Sequence, residues 1–200
     1  MIDSTEAILE SFAMAYSVCG GSLPEDEKIT VEIGYPLDAM FASLGIESMY
    51  IEKYIKAYKE HYQKISCEKT TLLSKAKEAI MLAYKEAHLG VVTTKTGKYS
   101  TILLEHMGLM HYFDVLVGRE DVQFPKPHPE PIEKALQQLP KVTGGVWMIG
   151  DTCMDMEAAR AANIDGIAVS CGYGLEEKLM KCSNKICQNT HEAIQFIAKK

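Results

Sequence analysis

Asp151 and Asp155 stand four residues apart in Gly150-Asp151-Thr152-Cys153-Met154-Asp155, directly after an apolar run. Carboxylates at that spacing, where a strand passes into a helix, face one direction and can offer oxygen ligands to a hard divalent cation. The same residues also read as a helix start, with Asp151 or Thr152 as cap and Asp155 in the first turn. A buried strand that delivers Gly-Asp to its carboxyl end is costly unless the acid has a partner, which favours the ligand role. Lys126 lies between prolines in Phe124-Pro125-Lys126-Pro127-His128-Pro129. Proline on both sides restricts the backbone, as suits a fixed point charge, although a solvated loop lysine has the same sequence. Thr93 and Thr94 end the apolar run Gly90-Val91-Val92. Hydroxyls there, with free backbone N–H groups in the following loop, suit phosphoryl oxygens; they also suit an ordinary turn.

These residues need a scaffold that brings three separate loops together. From about residue 72 onward, helical spacing alternates with short apolar runs: 90–93, 115–117, 145–150 and 166–169, separated by helices at about 74–88, 98–108, 129–139 and 155–163, with a last helix at 190–198. Strands that are apolar throughout and alternate with helices predict a doubly wound parallel sheet, an α/β fold covered on both faces. In such sheets ligands bind at the carboxyl ends of the strands, where all three polar sets fall. Residues 5–70 differ. Asp3 and Glu6 have capping-box spacing before a helix that stops at Gly20-Gly21. Further helices are predicted from Pro24 to Gly34, Pro36 to Gly45 and Glu47 to Ser66, the last with Tyr50, Tyr54, Ile55 and Tyr58 on one side. No strand is predicted in this block.

Composition limits the function classes. The 200 residues are 47% hydrophobic and 24% charged, enough apolar residue for a real core. A formal net charge of −6 without a basic run argues against a duplex nucleic-acid surface. No stretch is apolar enough to span a membrane and the first residues lack a signal peptide, so a cytoplasmic location is expected. The six cysteines, at 19, 67, 153, 171, 182 and 187, are accordingly expected to be free thiols. Cys182 and Cys187 lack the spacing of a zinc or redox pair.

The order Thr, then Lys, then Gly-Asp-Thr-x-x-Asp resembles motifs two, three and four of the haloacid dehalogenase-like hydrolase superfamily. Val91-Val92-Thr93-Thr94-Lys95, Lys126-Pro127-His128-Pro129-Glu130-Pro131, and Gly150-Asp151-Thr152-x-x-Asp155-Met156-x-Ala158-Ala159-Arg160-Ala161-Ala162 look most like its phosphoglycolate phosphatase branch. The resemblance covers nearly the whole chain, and the fourth motif with its Ala-Ala-Arg-Ala-Ala tail is its most specific part. It implies an α/β core of residues 1–4 and 71–200 with a helical-bundle cap of residues 5–70. The implied activity is Mg2+-dependent hydrolysis of a small phosphorylated metabolite, such as phosphoglycolate, through an aspartyl phosphate. Thr93, Thr94 and Lys126 would hold the phosphoryl oxygens, Asp151 the metal, and Asp155 the metal or its waters.

One motif of the resemblance is not matched. Superfamily members open with an apolar strand and Asp-x-Asp-Gly-Thr-Leu, whose first Asp is the nucleophile and whose second is the general acid and base. Here Met1 stands at that Leu, Ile2-Asp3-Ser4 continues in register, and no two Asp are separated by one residue. The 200 residues alone are therefore expected to show essentially no phosphatase turnover; a late start and a genuine loss both accommodate this. The strand concerned belongs between the one ending at Thr93 and the one ending at Gly150. Its absence is expected to expose two inner strand edges, closed by direct pairing or by another chain, a homodimer being one such case. The main alternative is a non-catalytic phosphate- and metal-binding protein. A mutase with the same cap stands beside it; a carbon–halogen hydrolase needs no metal site of the Asp151/Asp155 kind.

Overall fold

The computed structural model describes residues 1–141 and 144–200. The chain divides into two compact units, Ile2–Thr71 and Met1 with Leu72–Lys200.

The first unit is helical. It holds β1 (Ile2–Asp3), α1 (Thr5–Cys19), α2 (Asp26–Thr30), α3 (Leu37–Ser43) and α4 (Ser48–Ile65), and the chain leaves it along β2 (Thr71–Leu72). Gly20 stops α1: at φ 94° it takes a backbone conformation closed to most side chains, and its N–H donates to Tyr16 O. The carbonyl of Gly20 accepts from Tyr54 Oη at 2.7 Å, which fastens α4 to the end of α1. An aromatic core fills the unit, with Phe12 4.6 Å from Phe41 and 5.2 Å from Tyr58, and Tyr16 5.2 Å from Tyr54, centroid to centroid. Pairs of this kind add about 0.5–1.5 kcal/mol each beyond the area they bury.

Three expectations are corrected here. β1 and β2 pair as a two-stranded sheet although no strand was predicted, because two residues are too few to show alternation. The Asp3–Glu6 capping box does not form: Asp3 Oδ1 instead accepts from Thr5 N and Oγ1, and Glu6 pairs with Lys69. The buried face of α4 is Tyr54, Ala57, Tyr58 and Tyr62, while Tyr50 is 48% exposed.

The second unit is the α/β domain. Its elements are α5 (Ala76–Ala83), β3 (Gly90–Val92), α6 (Gly97–His106), β4 (Val115–Val117), α7 (Glu130–Gln138), β5 (Trp147–Gly150), α8 (Cys153–Ala161), β6 (Asp165–Val169), α9 (Glu176–Cys182), β7 (Ile186–Cys187) and α10 (Thr190–Ile197). All strand pairings are parallel. β3 pairs with β4 in the register Val91–Leu116, and β5, β6 and β7 form a second ladder through Ile149–Ile167 and Val169–Cys187.

Side chains alternate to two helical layers. Val91 and Leu116 pack with Ile80 and Leu104 of α5 and α6, while Val92, Val115 and Val117 meet Ala135 of α7. On the second ladder, Trp147, Ile149, Ile167 and Val169 face α10, and Ala168 packs against Met156 and Leu179 of α8 and α9. α5 also packs on α10, so one layer is α5, α6 and α10 and the other α7, α8 and α9. α9 and β7 carry too little apolar periodicity to be predicted.

The two ladders are separate: among the described residues no hydrogen-bonded pairing joins β3 to β5. Direct pairing of those strands, one of the two expected repairs, does not occur. What crosses the gap is side chain, with Val92 and Met148 sharing a cluster with Ile132 of α7 and Ala158 and Ala159 of α8.

The cysteine reading is also corrected. Cys153, which opens α8, is disulfide-bonded to Cys182, which ends α9; Cys19, Cys67, Cys171 and Cys187 are free. The partners are 29 residues apart in sequence and meet because α8 and α9 pack together, which local spacing does not disclose.

Candidate functional site

β5 delivers the chain to Asp151 and Thr152, and α8 begins at once. Thr152 is extended, with φ −130° and ψ 160°, and the Asp155 carboxylate turns back toward it. Asp155 Oδ2 accepts from Thr152 N at 3.0 Å and from Thr152 Oγ1 at 2.8 Å. Gly150 is required for this approach, since a Cβ there would lie 2.2 Å from Asp155 Cβ. The remaining oxygen, Oδ1, accepts from Lys126 Nζ at 2.5 Å.

Lys126 Nζ also donates to the carbonyl oxygen of Val92 at 3.1 Å. It thereby ties the carboxyl end of β3 to the first turn of α8, across the gap between the ladders. The pair is withdrawn from water, with side chains 10% and 5% exposed. Burial pushes the Asp155 carboxyl up, but the charge and hydrogen bond of Lys126, with the two bonds from Thr152, outweigh it and hold the group below the usual carboxylate range. Asp155 is thus ionised and opposite a fixed ammonium.

The loop carrying Lys126 is fastened by a residue the sequence reading did not single out for this role. Glu130 accepts from Gln123 N at 2.9 Å and Phe124 N at 2.8 Å, and these backbone bonds lower its carboxyl pKa. The usable signal was its place in the first turn of a proline-started helix, where an acid faces the free N–H groups just upstream.

Thr93 follows β3, and its N–H donates to Val117 O at 3.0 Å. Its Oγ1 accepts from Lys95 N at 3.1 Å, so the hydroxyl shapes the loop that also contains half-buried Thr94. Glu120 closes that loop, accepting from Gly97 N at 2.8 Å. Asp151 points elsewhere: its Oδ2 accepts from Tyr173 N at 2.8 Å. No hydrogen bond or ion pair joins Asp151 or Thr93 to Lys126 among the described residues. The structure therefore unites Lys126, Asp155 and Val92, sets Thr93 and Thr94 directly after β3, and gives the two carboxylates separate partners.

Whether these residues suit a divalent cation follows from their donors. Asp151 is half-buried at the carboxyl end of β5, and Oδ1 has no hydrogen-bond partner among the described residues. The described residues contain no group of three His, Cys, Asp or Glu that could hold a metal ion. Mg2+ typically binds through one or two carboxylates, keeping waters and taking oxygens from substrate phosphate, so one carboxylate at this position is a fitting part of such a site.

The chain is similar to known proteins in sequence and in fold. A family model described as haloacid dehalogenase-like hydrolase matches residues 1–169. A phosphoglycolate phosphatase from Colwellia psychrerythraea is 31% identical over 142 residues, 70% of this chain and 62% of that protein. A pyrophosphatase PpaX from Bacillus mycoides is 30% identical over 174 residues, 85% of this chain and 79% of the relative. Among solved structures, a haloacid dehalogenase-like family hydrolase from Streptococcus pneumoniae superposes with a TM-score of 0.86 at 23% identity, covering 98% of this chain and 92% of the other. A hydrolase from Pseudomonas syringae gives 0.82 at 19% identity, over 100% and 94%. At these identities the two structures are alike in fold. No helix of the described residues is long and apolar enough to cross a membrane.

Proposed function

We propose, from the premise that the chain belongs to the haloacid dehalogenase-like hydrolase family, that its α/β unit is the phosphate- and cation-holding part of a cytoplasmic phosphatase for a small phosphorylated metabolite. The observation that carries the reading is Lys126, buried, paired with Asp155 and hydrogen-bonded to the end of β3. A lysine kept at the carboxyl ends of parallel strands is placed to hold phosphoryl oxygens without searching for them.

In this reading Thr93, Thr94 and Lys126 hold the phosphoryl group. Asp151 offers Oδ1 to Mg2+, and Asp155 supports the metal site while fixing the lysine. The ion, when bound, supplies neutralisation of phosphoryl charge. Transfer also needs an in-line nucleophile and a proton donor for the leaving group, and the chain has no two Asp separated by one residue. We place those two acids on an apolar strand between β3 and β5, where both neighbouring edges are unpaired among the described residues. In this reading that strand comes from a longer form of the chain or from a different chain, because a second copy of these 200 residues would bring no Asp-x-Asp. The substrate to try first is phosphoglycolate, after the Colwellia relative's name.

The missing acid pair also supports a second reading, a protein that binds phosphate and metal without chemistry. The test compares these 200 residues with a chain extended by an apolar strand and Asp-x-Asp-Gly-Thr, using p-nitrophenyl phosphate and Mg2+. Turnover only in the extended chain is expected. Equal turnover in both overturns the nucleophile assignment, and none in either favours the binding protein.

A further inference from the structure

Beyond the disulfide and the open strand edges, the second unit contains a close contact that the phosphate reading does not use. After β6 the chain runs through Gly172-Tyr173-Gly174 and folds back onto Asp151. Tyr173 N–H donates to Asp151 Oδ2 at 2.8 Å. A Cβ at Gly172 would fall 2.0 Å from that same oxygen and 2.4 Å from Asp151 Cβ; one at Gly174 would fall 2.0 Å from Asp151 O. Neither glycine has a positive φ, so neither is needed to reach an unusual backbone conformation. What requires glycine at both positions is chiefly the space taken by Asp151, with Leu179 Cδ2 3.3 Å from the Cβ position at Gly174.

We propose that Gly172, Tyr173 and Gly174 form a positioning loop that holds Asp151 from side and backbone, so that the carboxylate meets a divalent cation through Oδ1 only. This rests on the reading that Asp151 binds the cation. The physical basis is a division of labour between the two oxygens. The Tyr173 amide hydrogen bond and the close approach of Gly172 fix the rotamer through Oδ2, while Gly174 crowds the Asp151 carbonyl, so little side-chain freedom is left to lose when Oδ1 takes a ligand. Tyr173 acts through its backbone N–H, and the glycines act by having no side chain. All three are positioning residues.

The test uses the whole 200-residue chain. Hydrogen exchange of the Tyr173 amide is measured by NMR in wild type, in Gly172→Ala, in Asp151→Ala, and in the double variant. Because Gly172→Ala brings no φ strain, its effect reports the contact. Exchange at Tyr173 is expected to rise at least tenfold in either single variant, and less than twofold further when the second change is added, with Ile167–Val169 of β6 staying protected. Should Gly172→Ala fail to fold, Asp151→Ala still reads the hydrogen bond, since it leaves the loop untouched. The cation is read separately, by paramagnetic broadening with millimolar Mn2+. Broadening around residues 150–152 is expected in wild type and is expected to weaken at least fivefold in Gly172→Ala.

Unchanged Tyr173 exchange in Asp151→Ala, or Mn2+ broadening in Gly172→Ala equal to wild type, overturns the proposal. Coupled exchange with no Mn2+ broadening in wild type places the failure in the cation reading. The loop is then only structural, and the proposal falls with that reading.

Discussion

Reduction of the Cys153–Cys182 bond should lower stability by an amount that chain length alone sets. The bond closes a loop between cysteines 29 positions apart. In the chain-entropy account, a loop of that length removes about 12 cal/mol/K from the unfolded ensemble, or ~3.6 kcal/mol at 25 °C. For a chain of 200 residues, each kcal/mol moves the melting temperature by roughly 2–4 °C, so reduction should lower it by about 10 °C. The packing beneath the bond is independent of it. Leu179 of α9 is fully buried against Met156 and Ala168, so α9 keeps its apolar anchor after the bond is cut. The domain should therefore stay folded at 25 °C and melt earlier. Calorimetry with and without a phosphine reductant measures this. The Cys153→Ser/Cys182→Ser variant should melt at the lower temperature and ignore the reductant. Two results would refute the reasoning: equal melting temperatures with reduction confirmed by thiol titration, or a peptide map of oxidised protein that finds Cys153 and Cys182 unlinked.

Further expectations concern the buried pair and one orphaned hydroxyl. Lys126→Ala leaves Asp155 ionised and without its cation in a buried site, which should cost about 3–5 kcal/mol in urea unfolding; adding Asp155→Leu should recover most of it. The Asp155 carboxyl is held below its ordinary value, so its contribution is complete above the unfolded-chain value, near pH 4, and disappears as pH falls through the lower folded one. Its carboxyl carbon should accordingly show no titration by NMR from pH 7 down to that point, and a step above pH 5 would contradict the assignment. Tyr16 Oη is buried with no hydrogen-bond partner among the described residues, so Tyr16→Phe should be neutral or stabilising by up to about 1 kcal/mol in thermal melts, and a loss of more than about 1 kcal/mol would show that the hydroxyl has a partner.

The fold was legible where sequence carries local physics. The apolar runs at 90–93 and 145–150 became β3 and β5 because β-rich segments bounded by glycine and hydroxyl residues have few other options. The restricted loop around Lys126 was legible for the same reason, since its flanking prolines hold it whatever the lysine contacts, but the burial of the lysine against Asp155 was not. What escaped was set by partners far along the chain. The direction of Asp151 depends on Tyr173, 22 residues away, and a pattern of two carboxylates four apart cannot show that each faces a different neighbour. The face of α4 shifted by a turn because burial is decided by where α1 and α3 lie, so Tyr62 is inside and Tyr50 is not.

A departure from the expectation of apolar strands covered on both faces is seen in β5, from the apolar run at 145–150. Its neighbour β6 has Ile167, Ala168 and Val169 fully or nearly fully buried, while Trp147, Met148 and Ile149 of β5 are only half-buried. Side-chain character cannot explain the difference, because β5 is at least as apolar. Position does: among the described residues β6 has a strand on each side, and β5 has one. The same holds across the gap, where Val92 of β3 is half-buried beside a carbonyl that takes its hydrogen bond from Lys126 instead of from a strand. A lysine bond and a shared α7–α8 cluster hold together what a backbone ladder would otherwise join. The charged group that reads as the phosphate-holding lysine is thus also the polar link between the two halves of the sheet, and its loss should weaken fold and site together.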